Sequence, residues 1–171
     1  MATTSDLLID GFERVRDAVH EVLDGIDEEA LTARIDPDAN TIGWLVWHLT
    51  RVQDDHVAGV AGIEQRWTAG GWARRFDLPF DDAAHGYGQS SDEVAQVRDV
   101  SAEELTGYFD AVHQATVDYL RGLRDADLDR VVDERWDPPV TAGVRLVSVL
   151  SDDLQHAGQA AFVRGVLERR D

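Results

Sequence analysis

The amino-acid sequence predicts an all-α protein, a four-helix bundle with a long insert between its second and third helices. Three observations predict it. Four long segments carry apolar side chains at three- and four-residue steps, the period of a helix with one buried face. A stretch rich in Gly and aromatic residues, 62–100, interrupts the series once. The chain has 171 residues and is 43% hydrophobic, enough for one domain with a real core and short for two. A single domain over residues 1–171 is therefore expected, with its helices side by side around a shared interior.

The first helix is expected from about Ser5 to Leu23. Leu8, Phe12, Val15, Val19 and Val22 form its stripe, and Ser5 is a fair N-cap. The second runs from about Thr41 to Ala61, after the turn-rich "DPDAN", with Asn40 able to cap it. The third runs from about Ala102 to Leu123. Ser101 and Glu104 have the capping-box spacing, and Leu105, Phe109, Val112, Thr116, Tyr119, Leu120 and Leu123 make the stripe.

The fourth helix is expected from about Ala142 to Arg169, with Thr141 as its cap. Val144, Val147, Leu150, Leu154, Ala161, Phe162 and Val166 are read as its core face. Arginines in its last turns suit the helix dipole. Within the insert, "SDEVAQVRDV" fits a short helix, and Trp67, Trp72, Phe76 and Tyr87 are expected to cover one end of the core. A loop of that length in a compact domain is also where function tends to reside, and the two readings are compatible. Residues 128–136, "LDRVVDERW", alternate weakly and are read as an extended piece or a short connector.

Composition excludes whole classes of function. The chain has no cysteine, hence no disulfide scaffold, cysteine-based zinc site or cysteine nucleophile. Any metal must be held by His, Asp or Glu. The net charge is −18, with 34 acidic against 16 basic residues, which argues against nucleic acid and anionic membrane surfaces as partners. No apolar run approaches the length of a membrane span, and the N-terminal stretch "MATTSDLLIDGFERVRDAVH" is polar and amphipathic. A cytoplasmic protein is expected.

Six histidines are the main candidates for chemistry. His20 is expected at the surface and His113 as a partly buried structural residue, while His85 lies in the Gly-rich loop, able to reach a site mouth though nothing in the sequence requires it. His48 is different. It sits in "IGWLVWHLTRV" among Leu45, Leu49 and Val52, where a buried imidazole needs partners for both nitrogens. Asp152 and His156 lie four residues apart on the fourth helix, stacked on one face. With His48 facing them they form a set of three such as bundle cores use to hold metals. Two nitrogens and one carboxylate suit Zn²⁺, Fe²⁺, Ni²⁺ or Mn²⁺. An Asp–His pair at this spacing is also an ordinary surface pair, and spacing alone leaves both readings open. Asp55 and His56 are reserve ligands, and Asp153 is expected to be solvated.

The segments "GWLVWHL", "WDPPVTAGVRL" and "DDLQHAGQAAFVRG" together resemble the DinB-like superfamily of metal-binding four-helix bundles. The likeness is to its DUF664-type branch, related to the N-terminal domain of mycothiol-dependent maleylpyruvate isomerases. It covers essentially the whole chain, and "HAGQAAFVRG" is its most specific part. The resemblance implies a divalent metal, zinc first, held by one histidine of the second helix and two ligands four apart on the fourth. Those positions are His48, Asp152 and His156. Two departures stand out. Asp152 occupies a position that is His or Glu in relatives, and it is the shorter side chain. Gln159 stands where a second histidine is common, and is read as a support or substrate contact. Arg145, two turns before Asp152, is read as a clamp for a carboxylate of a small substrate or thiol, or as a structural ion pair.

Two functional readings follow. One is a thiol-dependent transferase or isomerase, using mycothiol or a similar low-molecular-weight thiol, with a hydrolytic variant on the same site. The other is a non-catalytic metal- or small-molecule-binding bundle, with a homodimer among its forms.

Overall fold

The four expected helices form, and in the computed structural model, which describes residues 2–170, they are joined by five shorter helical pieces and a hairpin. Helix α1 (Thr4–Leu23) begins at a reciprocal capping box between Thr3 and Asp6. Thr3, not Ser5, is the cap. Helix α2 (Glu28–Thr32), which the periodicity does not announce, is one short turn capped by Asp27. Helix α3 (Ile42–Ala61) is capped by Thr41, whose hydroxyl accepts from the Trp44 amide. Asn40 lies one residue too early. Gly62 ends α3 in the left-handed conformation that favours glycine.

The insert is helical in three places, α4 (Arg66–Ala69), α5 (Trp72–Phe76) and α6 (Ser91–Val94). Trp67 and Phe76 are buried against Tyr108 and Trp72 packs at their edge, as expected of a cover for the core. Tyr87 departs from that expectation: it is 87% exposed. Helix α7 (Ala102–Arg121) has the expected Ser101–Glu104 capping box. A short 3₁₀ helix (Asp125–Asp129) and a two-stranded hairpin follow. In it β1 (Val131–Asp133) pairs antiparallel with β2 (Val140–Thr141) through an irregular register. The weakly alternating 128–136 segment is thus in part a strand. Helix α8 (Ala142–Leu167) closes the chain, capped by Thr141.

Helix α1 packs on α7 and α8, and α3 packs on the same two helices. This closed ring of four is the bundle. Its interior holds two apolar clusters. One includes Leu49, Val112 and Ala157, and the other Val57, Leu120 and Val149. Midway between them on three of the four helices stands a buried polar residue: Gln53 on α3, Thr116 on α7 and Asp153 on α8. Gln53 donates to the Thr116 hydroxyl at 2.8 Å, and that hydroxyl donates to the Val112 carbonyl. Asp153 is fully buried and neither carboxylate oxygen has a protein partner. Burial, aided by neighbouring Asp152, pushes its carboxyl pKa well up. The expectation of a solvated Asp153 is therefore corrected.

Helix α8 is also turned from its expected orientation. Leu146, Val149, Ala157, Ala160 and Val163 are buried, whereas Val144, Val147, Leu154 and Phe162 are 43–62% exposed. The helix is apolar on two faces, and the one that carries Leu146, Val149, Ala157 and Ala160 is the one buried. A second consequence is that Asp152 and His156 turn toward α3. Among the described residues, no helix is long and apolar enough to cross a membrane.

Candidate metal centre

His48 comes from the middle of α3, and Asp152 and His156 from consecutive turns of α8. Their ligand atoms all lie within 4.8 Å of one another, the one such group among the described residues. Two ligands of a single zinc ion, each at about 2.1 Å, stand at most about 4.2 Å apart. An ion touching all three would therefore need the side chains to move inward by a fraction of an ångström or more.

Both imidazoles are held by their Nδ1 atoms. His48 Nδ1–H donates to the backbone carbonyl of His85. His156 Nδ1–H donates to Gln159 Oε1 at 2.9 Å. Each bond fixes the tautomer and leaves Nε2 with its lone pair free. His156 Nε2 lies 3.7 Å from Asp152 Oδ1, while Asp152 Oδ2 is buried without a partner. Two free nitrogens and an orphaned carboxylate oxygen, pointed at one place, fit a divalent cation. Burial is the main reason that the His48 pKa lies below its ordinary value, with the His156 ring adding and Asp152 opposing. A neutral imidazole is the form a metal takes.

The walls come from α3 and the insert. Trp44 stacks on His48, ring centres 4.6 Å apart, and meets His156 edge-on. Its indole N–H donates to Gln89 Oε1 at 2.7 Å. Arg51, fully buried one turn along from His48, donates to the carbonyls of Asp82 and Ala84. These bonds pin the 82–89 loop on α3 and set the His85 carbonyl where His48 needs it. Gly86 permits the approach. Its φ is +96°, and a Cβ there would lie 2.6 Å from His48 Nδ1. The backbone carbonyl of His85 left no trace in residue type. The Gly-rich "HGYG" was the available signal.

The remaining candidates separate from the cluster. His20 is exposed, as expected, and pairs with Asp110 at 2.7 Å, and His113 is stacked on Phe109 and buried more deeply than the partly buried position expected. Asp55 and His56 do not join the ligand group. They line a cleft of about 610 Å³ with Gln65, Asp133, Arg135 and Arg145. Arg145 pairs with Asp133 at 3.0 Å, and Nη1 lies 3.5 Å from His56 Nδ1. Arg135 takes the same carboxylate through two bonds of 2.9 Å. One carboxylate thus serves two guanidinium groups, in a cleft that Asp55 and Glu134 also line. Burial first, then Arg145, lower the His56 pKa.

The model of the DinB superfamily matches residues 11–160. The chain belongs to the DinB superfamily. A solved structure, described as that of a conserved protein of locus from Enterococcus faecalis, is similar to this DinB-superfamily chain at 27% identity. It aligns with a TM-score of 0.89 over 96% of each chain. No protein with curated annotation matches.

Proposed function

We propose that this DinB-superfamily protein binds one divalent cation, zinc first, with Ni, Fe or Mn as other candidates, through His48, Asp152 and His156. The observation that carries the reading is that both imidazoles are anchored at Nδ1 while their Nε2 atoms and an unpartnered Asp152 oxygen remain free. Three protein ligands leave coordination positions open, the pattern of catalytic rather than structural sites. The ion would supply Lewis acidity, lowering the pKa of a bound thiol or water.

We propose further that the small molecule taken there is a low-molecular-weight thiol of the mycothiol kind, used in transfer or isomerisation, and that the protein works in the cytoplasm. The chain's own contribution is positional. Trp44 and the 82–89 loop wall one side of the cluster. Arg145, braced by Asp133, stands two turns along α8 in the adjoining cleft, placed to hold an anionic group of thiol or substrate. Gln159 holds His156 in its ligating tautomer.

The test is thermal unfolding of the zinc-loaded protein against mycothiol and simpler thiols. Saturating thiol at a hundredfold excess over Kd stabilises by about 2.7 kcal/mol. A rise in unfolding temperature for the wild type, absent in His156→Ala, is expected. Zinc binding with no response to any thiol would leave a non-catalytic metal-binding bundle in its place.

A further inference from the structure

The outer face of α8 carries a stripe that no described residue covers. Val144, Val147, Ser151, Leu154, Gly158 and Ala161 follow one another in steps of three and four, and all six are exposed. This alternation averages 3.5 residues, so the stripe keeps to one side of the helix as a coiled-coil seam does. It is about 26 Å long. A Cβ built on Gly158 meets no atom within 4 Å.

The stripe is also neutral. Net charge is −18, yet no exposed residue of α8 from Val144 to Phe162 is charged. The neighbouring α1 shows the contrast, presenting Asp6, Asp10, Arg14, Asp17 and Glu21 to solvent. A surface meant for water in this protein is charged. A surface on which two acidic copies could meet without mutual repulsion would be neutral.

The order of sizes along the stripe is the decisive feature. Run antiparallel to itself about a two-fold axis between residues 152 and 153, the helix sets each large side chain against a small one. Val144 falls opposite Ala161, Val147 opposite Gly158, and Leu154 opposite Ser151. Facing layers of large and small residues interdigitate, and a two-fold contact requires this self-complementarity. Phe162, 62% exposed beside the seam, extends the apolar surface.

We propose that this chain forms a homodimer in which α8 packs antiparallel on α8 of a second copy along this seam. The metal cluster lies on a different face of α8, toward α3, so the contact leaves it open.

Absence of native cysteine makes the register directly testable. Val147→Cys and Gly158→Cys proteins, mixed and mildly oxidised, are expected to cross-link to each other, while neither cross-links to itself. Self-cross-linking of Val147→Cys would mean parallel pairing and overturn the arrangement. In sedimentation analysis the wild type is expected as a dimer that tightens with added salt, because screening relieves the repulsion between acidic copies. Leu154→Glu, at an exposed position that folding tolerates, is expected to weaken association more than about 100-fold by burying unpaired carboxylates. A wild type that stays monomeric at high concentration, or a Leu154→Glu variant that dimerises as well as wild type with an unchanged circular dichroism spectrum, would overturn the proposal.

Discussion

Gly86 lies against the imidazole of His48, so close that a single added Cβ would stand 2.6 Å from Nδ1. The residue also sits at φ +96°, where a side chain is strained whatever the space. Gly86→Ala should therefore push the 82–89 loop away, break the His85 carbonyl contact and free His48 to rotate. Loss of such a supporting contact typically costs 10–100-fold in metal affinity. Zinc affinity by chelator competition is expected to fall in that range, together with a lower unfolding temperature. Unchanged affinity would mean that the loop does not orient His48.

Gln159 provides the matching contact on α8. It is exposed, so replacing it disturbs no packing. Gln159→Leu is expected to lower zinc affinity about tenfold with little change in unfolding temperature of the metal-free protein. If Gln159 acted only on a substrate, zinc affinity would hold and thiol binding alone would weaken.

Asp153 predicts a gain. Its carboxyl group is fully buried with both oxygens unpartnered between two apolar clusters. An apolar side chain of similar size removes that desolvation cost. Asp153→Leu should raise stability in urea unfolding by about 1–3 kcal/mol. A loss of stability would show that the carboxyl group has a structural partner, such as an ordered water.

Acid should weaken the fold through His113. Burial holds its pKa below the ordinary 6.5, with the Glu13 carboxylate, 3.4 Å from Nε2, partly opposing. The unfolded chain then binds the proton more readily than the folded one. Stability is complete above about 6.5 and falls as pH drops below it toward the folded value. His113→Leu, away from the metal cluster, is expected to flatten the decline of unfolding free energy between neutral and mildly acidic pH. An equally steep decline would assign it to other groups.

Much of this molecule is legible in its residue pattern, for definite reasons. The four long helices show because each buries a stripe, and Leu8, Phe12, Val15, Val19 and Val22 all reach the core. Asp152 and His156 show because four residues make one helical turn. What fails is the choice between faces of α8. Periodicity locates Val144, Val147 and Leu154 on a common side but cannot tell a core from a seam, and Leu146, Val149, Ala157 and Ala160 form the core face. The burial of Asp153 is not legible either, since a carboxylate on the core face runs against the usual burial preference. The His85 carbonyl, which orients His48, belongs to the backbone and carries no residue signature.

The central claim is a divalent ion held by His48, Asp152 and His156. Its most direct test is zinc stoichiometry and affinity of the wild type beside His48→Ala, Asp152→Ala and His156→Ala. One zinc per chain in the wild type, with affinity reduced at least a hundredfold in each variant, is the predicted result. Variants that keep wild-type affinity, or a wild type that takes up no zinc, nickel, iron or manganese, would contradict it.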